Sequence, residues 1–208
     1  MYKLYRIFGN VYVKERNGKV EFEKEITVTS NISKKDLINF FEVNNYKKVD
    51  DYVVDDIYYV LNGVDLNANP LDVLKRCVLV RSIDNKKHYL VYKYKEYDDS
   101  ENIIKQGKSK VQVISKEDAK SFLKIIEYKE LIRIVDHIEV YEKNGLQICV
   151  EEVNDKYLFI EIEESEKYNT IEKMIDALEN TGINYDKSNY FVKKAKIIFE
   201  EKYGNKTR

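Results

Sequence analysis

The stretch Val20-Glu21-Phe22-Glu23-Lys24-Glu25-Ile26-Thr27-Val28 alternates in character, which marks a strand and not a helix. Successive side chains of a strand point to opposite faces, so Glu21, Glu23 and Glu25 share one face. Residues two apart in a strand lie roughly 7 Å from each other, so Glu21 and Glu23 can both reach one divalent cation. Three carboxylates in a row repel one another, and that repulsion costs stability unless cations or basic groups stand opposite. The rest of the chain is expected to supply them.

Outward from this strand, the pattern continues as strands joined by short turns. Residues 2–8 and 11–16 read as two strands, and Asn17-Gly18 is a type I′ hairpin signal leading into the glutamate strand. Ser33 predicts an N-cap for a helix with Leu37, Ile38, Phe40 and Phe41 on its apolar stripe. A strand is predicted over 51–61, then a short helical segment Leu71–Lys75 opened by Asn69-Pro70. Cys77–Ile83 and His88–Lys95 form a hairpin, 96–107 reads as a polar loop, and Lys108–Ile114 is another strand. Ser115 caps a helix over 116–127. A long strand over 129–142 then turns at Asn144-Gly145 into Leu146–Val153, which turns at Asn154-Asp155 into Lys156–Glu163. Two helices, 169–180 and 188–202, close the chain, with Gly182 ending the first.

This order predicts an α+β fold: a closed antiparallel β-barrel, or tunnel, of about eight strands with helices packed outside. No Pro-, Gly- or Ser-rich linker interrupts the 208 residues, so 1–208 is expected to be a single domain. Residues 1–18 would extend it as strands and 186–208 as a C-terminal helix. Charged residues make up 35% of the chain and nearly cancel, with a formal net charge of -1. That balance argues against a general nucleic-acid partner and requires any electrostatic function to come from local segregation of charge. No apolar run approaches the roughly 20 residues needed to span a bilayer, so no membrane partner is expected. Lys3 and Arg6 are not followed by an apolar signal-peptide core, and the two cysteines, Cys77 and Cys149, form no metal motif. Both features fit a cytoplasmic protein.

Charge is indeed segregated by strand. Tyr157, Phe159, Glu161 and Glu163 share one face of the second acidic strand, and Glu151 or Glu152 could join them from the strand before. Lys93 and Lys95 share a face, as do Arg81 with Leu79 and Lys108 with Lys110; Arg133 lies early in the long strand. The reverse faces are apolar. Closed into a barrel, such strands give a charged lumen inside an apolar coat, suited to an anionic, phosphorylated small molecule held by Lys and Arg, with a metal bridging it to the carboxylates. The alternative for any single strand is a solvated sheet face.

In motif order these residues resemble the CYTH, or triphosphate tunnel metalloenzyme, superfamily, over roughly residues 19–203. Glu21-Phe22-Glu23-Lys24-Glu25 resembles its Glu-x-Glu-x-Lys strand, with Glu25 in place of the lysine. Asp55-Asp56-Ile57-Tyr58-Tyr59, Val78-Leu79-Val80-Arg81, Leu90-Val91-Tyr92-Lys93, Glu161-Ile162-Glu163 and Lys187-Ser188-Asn189-Tyr190 follow as similar landmarks in the same order. There are departures. Lys108-Ser109-Lys110 stands where the family has Arg-x-Glu, Asp136-His137-Ile138 where it has a basic pair, and Glu151 where it has an aspartate.

The resemblance implies Mg²⁺ or Mn²⁺ on Glu21, Glu23, Glu161 and Glu163, with Glu161 and Glu163 also positioning water. It implies phosphates on Arg81, Lys93 and Lys95, and the basic faces of the other strands add Lys108, Lys110 and Arg133 as candidate phosphate ligands. The expected activity is that of a metal-dependent phosphohydrolase or cyclase acting on tripolyphosphate, thiamine triphosphate or a nucleotide. The alternatives are a degenerate tunnel that binds a phosphorylated ligand without turnover, and a barrel whose charges merely pair. Neither His88 nor His137 has a nucleophile at motif spacing, so a catalytic triad is not expected.

Overall fold

A computed structural model describes residues 15–16, 19–20, 24–98 and 103–204. Strands β1 (Glu15–Arg16) and β2 (Lys19–Val20) pair antiparallel, as the hairpin signal between them predicts. The main sheet has eight strands: β3 (Glu25–Thr29), β4 (Lys47–Leu61), β5 (Val78–Ile83), β6 (Lys87–Tyr97), β7 (Ile103–Val113), β8 (Tyr128–Lys143), β9 (Leu146–Val153) and β10 (Tyr157–Glu163). They pair antiparallel throughout, in the order β3-β10-β9-β8-β4-β5-β6-β7. Five helices accompany them: α1 (Lys34–Val43), α2 (Pro70–Leu74), α3 (Lys116–Ile125), α4 (Ile171–Glu179) and α5 (Lys194–Tyr203). No described helix is long and apolar enough to cross a membrane.

Local chemistry places these elements. Ser33, Ser115 and Thr170 each accept a backbone N–H three residues on and so start α1, α3 and α4. Asn144 and Gly145 have φ of 54° and 81°, Asn154 and Asp155 52° and 53°, and Asp84 and Asn85 49° and 52°. Left-handed residues in pairs are what tight hairpins between twisted strands require, and Asn, Asp and Gly reach that region with little strain.

Three boundaries differ from the sequence reading. Strand β4 begins at Lys47, in an exposed stretch with no apolar alternation, because pairing of Lys47 and Lys48 with Glu142 and Tyr141 of β8 extends it. The predicted loop over 96–107 is largely ladder, since β6 runs to Tyr97 and β7 starts at Ile103. The last helix begins at Lys194, not 188, because the chain before it lies along the outer edge of β3. There Thr27 N donates to Tyr190 O (3.0 Å), Val192 N to Thr27 O (3.0 Å) and Asp186 N to Thr29 O (2.9 Å).

That edge contact bears on closure. Among the described residues β3 and β7 share no ladder, and residues 186–192 hold the edge of β3 that a closed barrel would give to β7. The sheet nonetheless curls far enough for Lys95 of β6 to reach Glu25 of β3, at 3.8 Å between Nζ and Oε1. The convex side is apolar. Ile26, Val28, Ile148, Val150, Ile160 and Ile162 pack under α1 and α4, and Ile57, Tyr59 and Val80 under α3. Contrary to the expectation that all helices lie outside, α5 packs on the concave face. Its Ile198 and Phe199 join Tyr58, Leu79, Ile134, Val153 and Phe159 in one buried cluster that also holds Val73 of α2. Periodicity shows that α5 has an apolar stripe; it cannot show which side of a curled sheet the stripe covers.

Candidate active site

The concave face beside α5 encloses a cavity of ≈ 230 Å³. Each strand gives it alternate residues, as the period of two demands: Glu25 and Thr27, Asp56 and Tyr58, Leu79 and Arg81, Lys93 and Lys95, Lys108 and Lys110, Glu161 and Glu163. Acids come from β3, β10, β9 and β8, with Asp56 added from β4, and most of the bases from β5, β6 and β7, so curling the sheet sets a mainly acidic wall against a mainly basic one.

On the acidic wall Glu25 and Glu163 stand directly opposite each other across β3 and β10. Like charges in that position destabilise a sheet unless a cation answers them. One oxygen each from Glu25, Glu161 and Glu163 lies within 4.8 Å of the others. Three convergent carboxylates are the donor set that a hard, oxygen-seeking cation such as Mg²⁺ or Mn²⁺ takes, so the residues present fit such an ion. Thr27 Oγ1 donates to Glu161 Oε2 at 3.0 Å and fixes that carboxylate. Glu21 and Glu23 lie outside the described residues. Among the described residues, Glu25 is the glutamate of that stretch that reaches the site; in the resemblance it stands in place of a lysine.

On the basic wall Arg81 Nε and Nη2 donate to Asp56 Oδ1 and Oδ2 at 2.7 and 2.6 Å. Burial pushes the Asp56 carboxyl up, and the Arg81 guanidinium more than reverses it, leaving it below the ordinary carboxylate range. Lys93 stands directly opposite Lys108 across β6 and β7. Burial, then Arg81, pushes the Lys93 ammonium down to about 7, although its side chain keeps 31% exposure toward the cavity and Asp56 Oδ2 lies 3.9 Å away. Burial, then Arg81 and Lys108, pushes Lys110 down to about 8. In both lysines burial is the leading cause, neighbouring cations add to it and Asp56 opposes it.

No family model and no curated protein matches the chain. Solved structures do match. A conserved hypothetical protein from Pyrococcus furiosus aligns over 85% of this chain and 99% of its own, at 19% identity and a TM-score of 0.62. A Hippeastrum protein described as an adenylyl cyclase candidate with a dominant triphosphatase activity aligns over 88% and 96%, at 13% identity and a TM-score of 0.61. An adenylate cyclase candidate from Vibrio parahaemolyticus aligns over 82% and 95%, at 11% identity and a TM-score of 0.55. The chain has the triphosphate tunnel (CYTH) fold.

Within this tunnel fold, Arg81, Lys93, Lys95, Lys108, Lys110, Glu161 and Glu163 all line the cavity. Arg133 does not. It sits out of phase with Ile134, Asp136 and Ile138 on β8, so it emerges on the other face and donates to Asp55 at 2.8 and 3.0 Å, beside Lys116. Two site residues carried no usable signal in the sequence. Asp136 was visible only as the loss of a basic pair. Lys194 is one of many lysines on a tail helix, yet its Nζ lies 2.5 Å from Glu151 and 3.2 Å from Glu161 inside the cavity. The three surrounding acids hold that ammonium well above the ordinary lysine range despite its burial.

Proposed function

We propose that the chain is a metal-dependent phosphohydrolase that cleaves the triphosphate end of a small-molecule substrate inside the tunnel. One observation carries this reading: the like-charged pairs Glu25–Glu163 and Lys93–Lys108 line the same cavity. Like charges directly opposite repel; Lys95 offsets this at Glu25 from 3.8 Å and Asp56 offsets it at Lys93 from 3.9 Å, and a divalent cation with a polyphosphate would offset both pairs at once. The cavity is also smaller than the ~300–1,000 Å³ of most drug-sized ligand sites, which suits a phosphate chain better than a whole nucleotide.

Glu25, Glu161 and Glu163 would hold the Mg²⁺ or Mn²⁺, which when bound neutralises charge on phosphate oxygens. Arg81, oriented by Asp56, keeps N–H donors beyond those the aspartate takes, and these bind phosphate. Lys93 and Lys110 take up protons as the anion arrives and so gain charge where the substrate needs it. Glu163 orients a water and accepts its proton. The water oxygen bonds to the terminal phosphorus, the bridging P–O bond breaks, and orthophosphate leaves the shortened chain. Positioning and charge supply the acceleration.

A second reading, binding without turnover, is favoured by Lys194, which already neutralises part of the acidic wall. Phosphate release from tripolyphosphate, thiamine triphosphate and ATP with Mg²⁺ or Mn²⁺ decides between them. Turnover that disappears in Glu163→Gln supports the hydrolase. Triphosphate-induced thermal stabilisation without release moves the chain to the binding reading, and a cyclic nucleotide from ATP would move it to the cyclase reaction.

A further inference from the structure

The acidic wall continues inward beyond the proposed ion site. Asp136, Glu151 and Glu161 come from the adjacent strands β8, β9 and β10 and are 6%, 3% and 8% exposed. Glu161 belongs to both groups. Into the inner one projects Lys194, from the first residue of α5, with Nζ 3.6 Å from Asp136, 2.5 Å from Glu151 and 3.2 Å from Glu161. The Oδ1 atom of Asp136, buried in the same cavity wall, has no hydrogen-bond partner among the described residues.

A lone ammonium is a poor match for this group. It carries a single positive charge and at most three N–H donors, against three carboxylates buried away from water. A divalent cation carries twice the charge and accepts more oxygens, and would engage the orphaned Asp136 oxygen.

We propose that Lys194 is a tethered cation filling the inner half of a two-cation carboxylate cluster, so that the intact chain accepts one divalent ion, in the outer half. The outer ion rests on the function proposed above; the inner assignment rests on the Lys194 contacts and Asp136 alone. The arrangement makes α5 a charge-bearing part of the site, and not only a cover for its apolar end.

Mn²⁺ bound per chain, counted by electron paramagnetic resonance of the free ion, tests this on the full chain. One ion is expected in the wild type, two in Lys194→Met and one in Lys194→Arg. Equal counts in wild type and Lys194→Met, or two ions already in the wild type, overturn the proposal. No ion in the wild type and one in Lys194→Met would uphold the inner assignment while refuting the outer ion, so the two failures are separable. Should Lys194→Met not fold in metal-free buffer, a cooperative thermal transition restored by millimolar Mn²⁺ supports the idea. A chain that stays unfolded with the ion present refutes it.

Discussion

Lys93 and Lys108 face each other across β6 and β7, two cations paired directly opposite inside a cavity. With Lys93 pushed down to about 7 and Lys110 to about 8, both are incompletely charged at pH 8. A bound polyanion favours the charged forms, so binding tripolyphosphate at pH 8 draws protons from the buffer. Calorimetric titration in buffers of different ionisation enthalpy is expected to show net uptake, smaller in Lys93→Met. Affinity is expected to fall as pH rises from about 7 through 8 and above. Binding without proton uptake would contradict the assignment of these lysines.

The same depression has a stability consequence of definite sign. The unfolded chain holds the Lys93 proton up to the ordinary 10.5, whereas the folded chain gives it up near 7. Between those values the unfolded state binds more protons, so this residue's contribution to stability improves as pH rises across the window and is worst below it. Lys93→Met is therefore expected to raise the melting temperature of the unliganded protein more at pH 6 than at pH 10. A pH-independent change would show that Lys93 is not desolvated.

Glu163→Gln separates a ligand site from a structural one, because the two make opposite predictions for the same variant. It removes the like-charge contact with Glu25, which is expected to stabilise the free chain by about 0.2–1 kcal/mol in urea titration. It also removes a proposed ion ligand, so calorimetric Mn²⁺ affinity is expected to fall at least tenfold. A variant that loses stability with no change in ion affinity would identify Glu163 as a partner in a structural ion pair.

Arg81 and Arg133 give a matched contrast. Arg81 is bonded to buried Asp56 within the cavity, and Asp56→Ala, which strands that guanidinium, is expected to cost about 3–5 kcal/mol in urea unfolding. Arg133 is 54% exposed and bonded to Asp55 on the other face. Arg133→Ala is expected to change stability by no more than about 1 kcal/mol and to leave triphosphate affinity within twofold of the wild type.

Much of this was legible in the chain because it is local. Asn144-Gly145 and Asn154-Asp155 turn the last three strands because few residue pairs tolerate two consecutive positive φ values. Glu161 and Glu163, like Lys93 and Lys95, had to share a face because a strand repeats every two residues. The phase of a residue is also local: Arg133 and Asp136 lie an odd number of residues apart and so face opposite sides of β8, which counting Arg133 among the phosphate ligands leaves out.

What the order of residues determined, then, was which side chains travel together: turns and strand period act over a few bonds. What only the tertiary structure decided was what meets across space. It chose Glu25 to oppose Glu163, carried Lys95 from β6 to within 3.8 Å of β3, laid residues 186–192 along the sheet edge, and turned Lys194 inward among three acids. Those meetings depend on sheet curvature and on which face of α5 is buried, and both arise from summed packing over the whole chain, which no local pattern records.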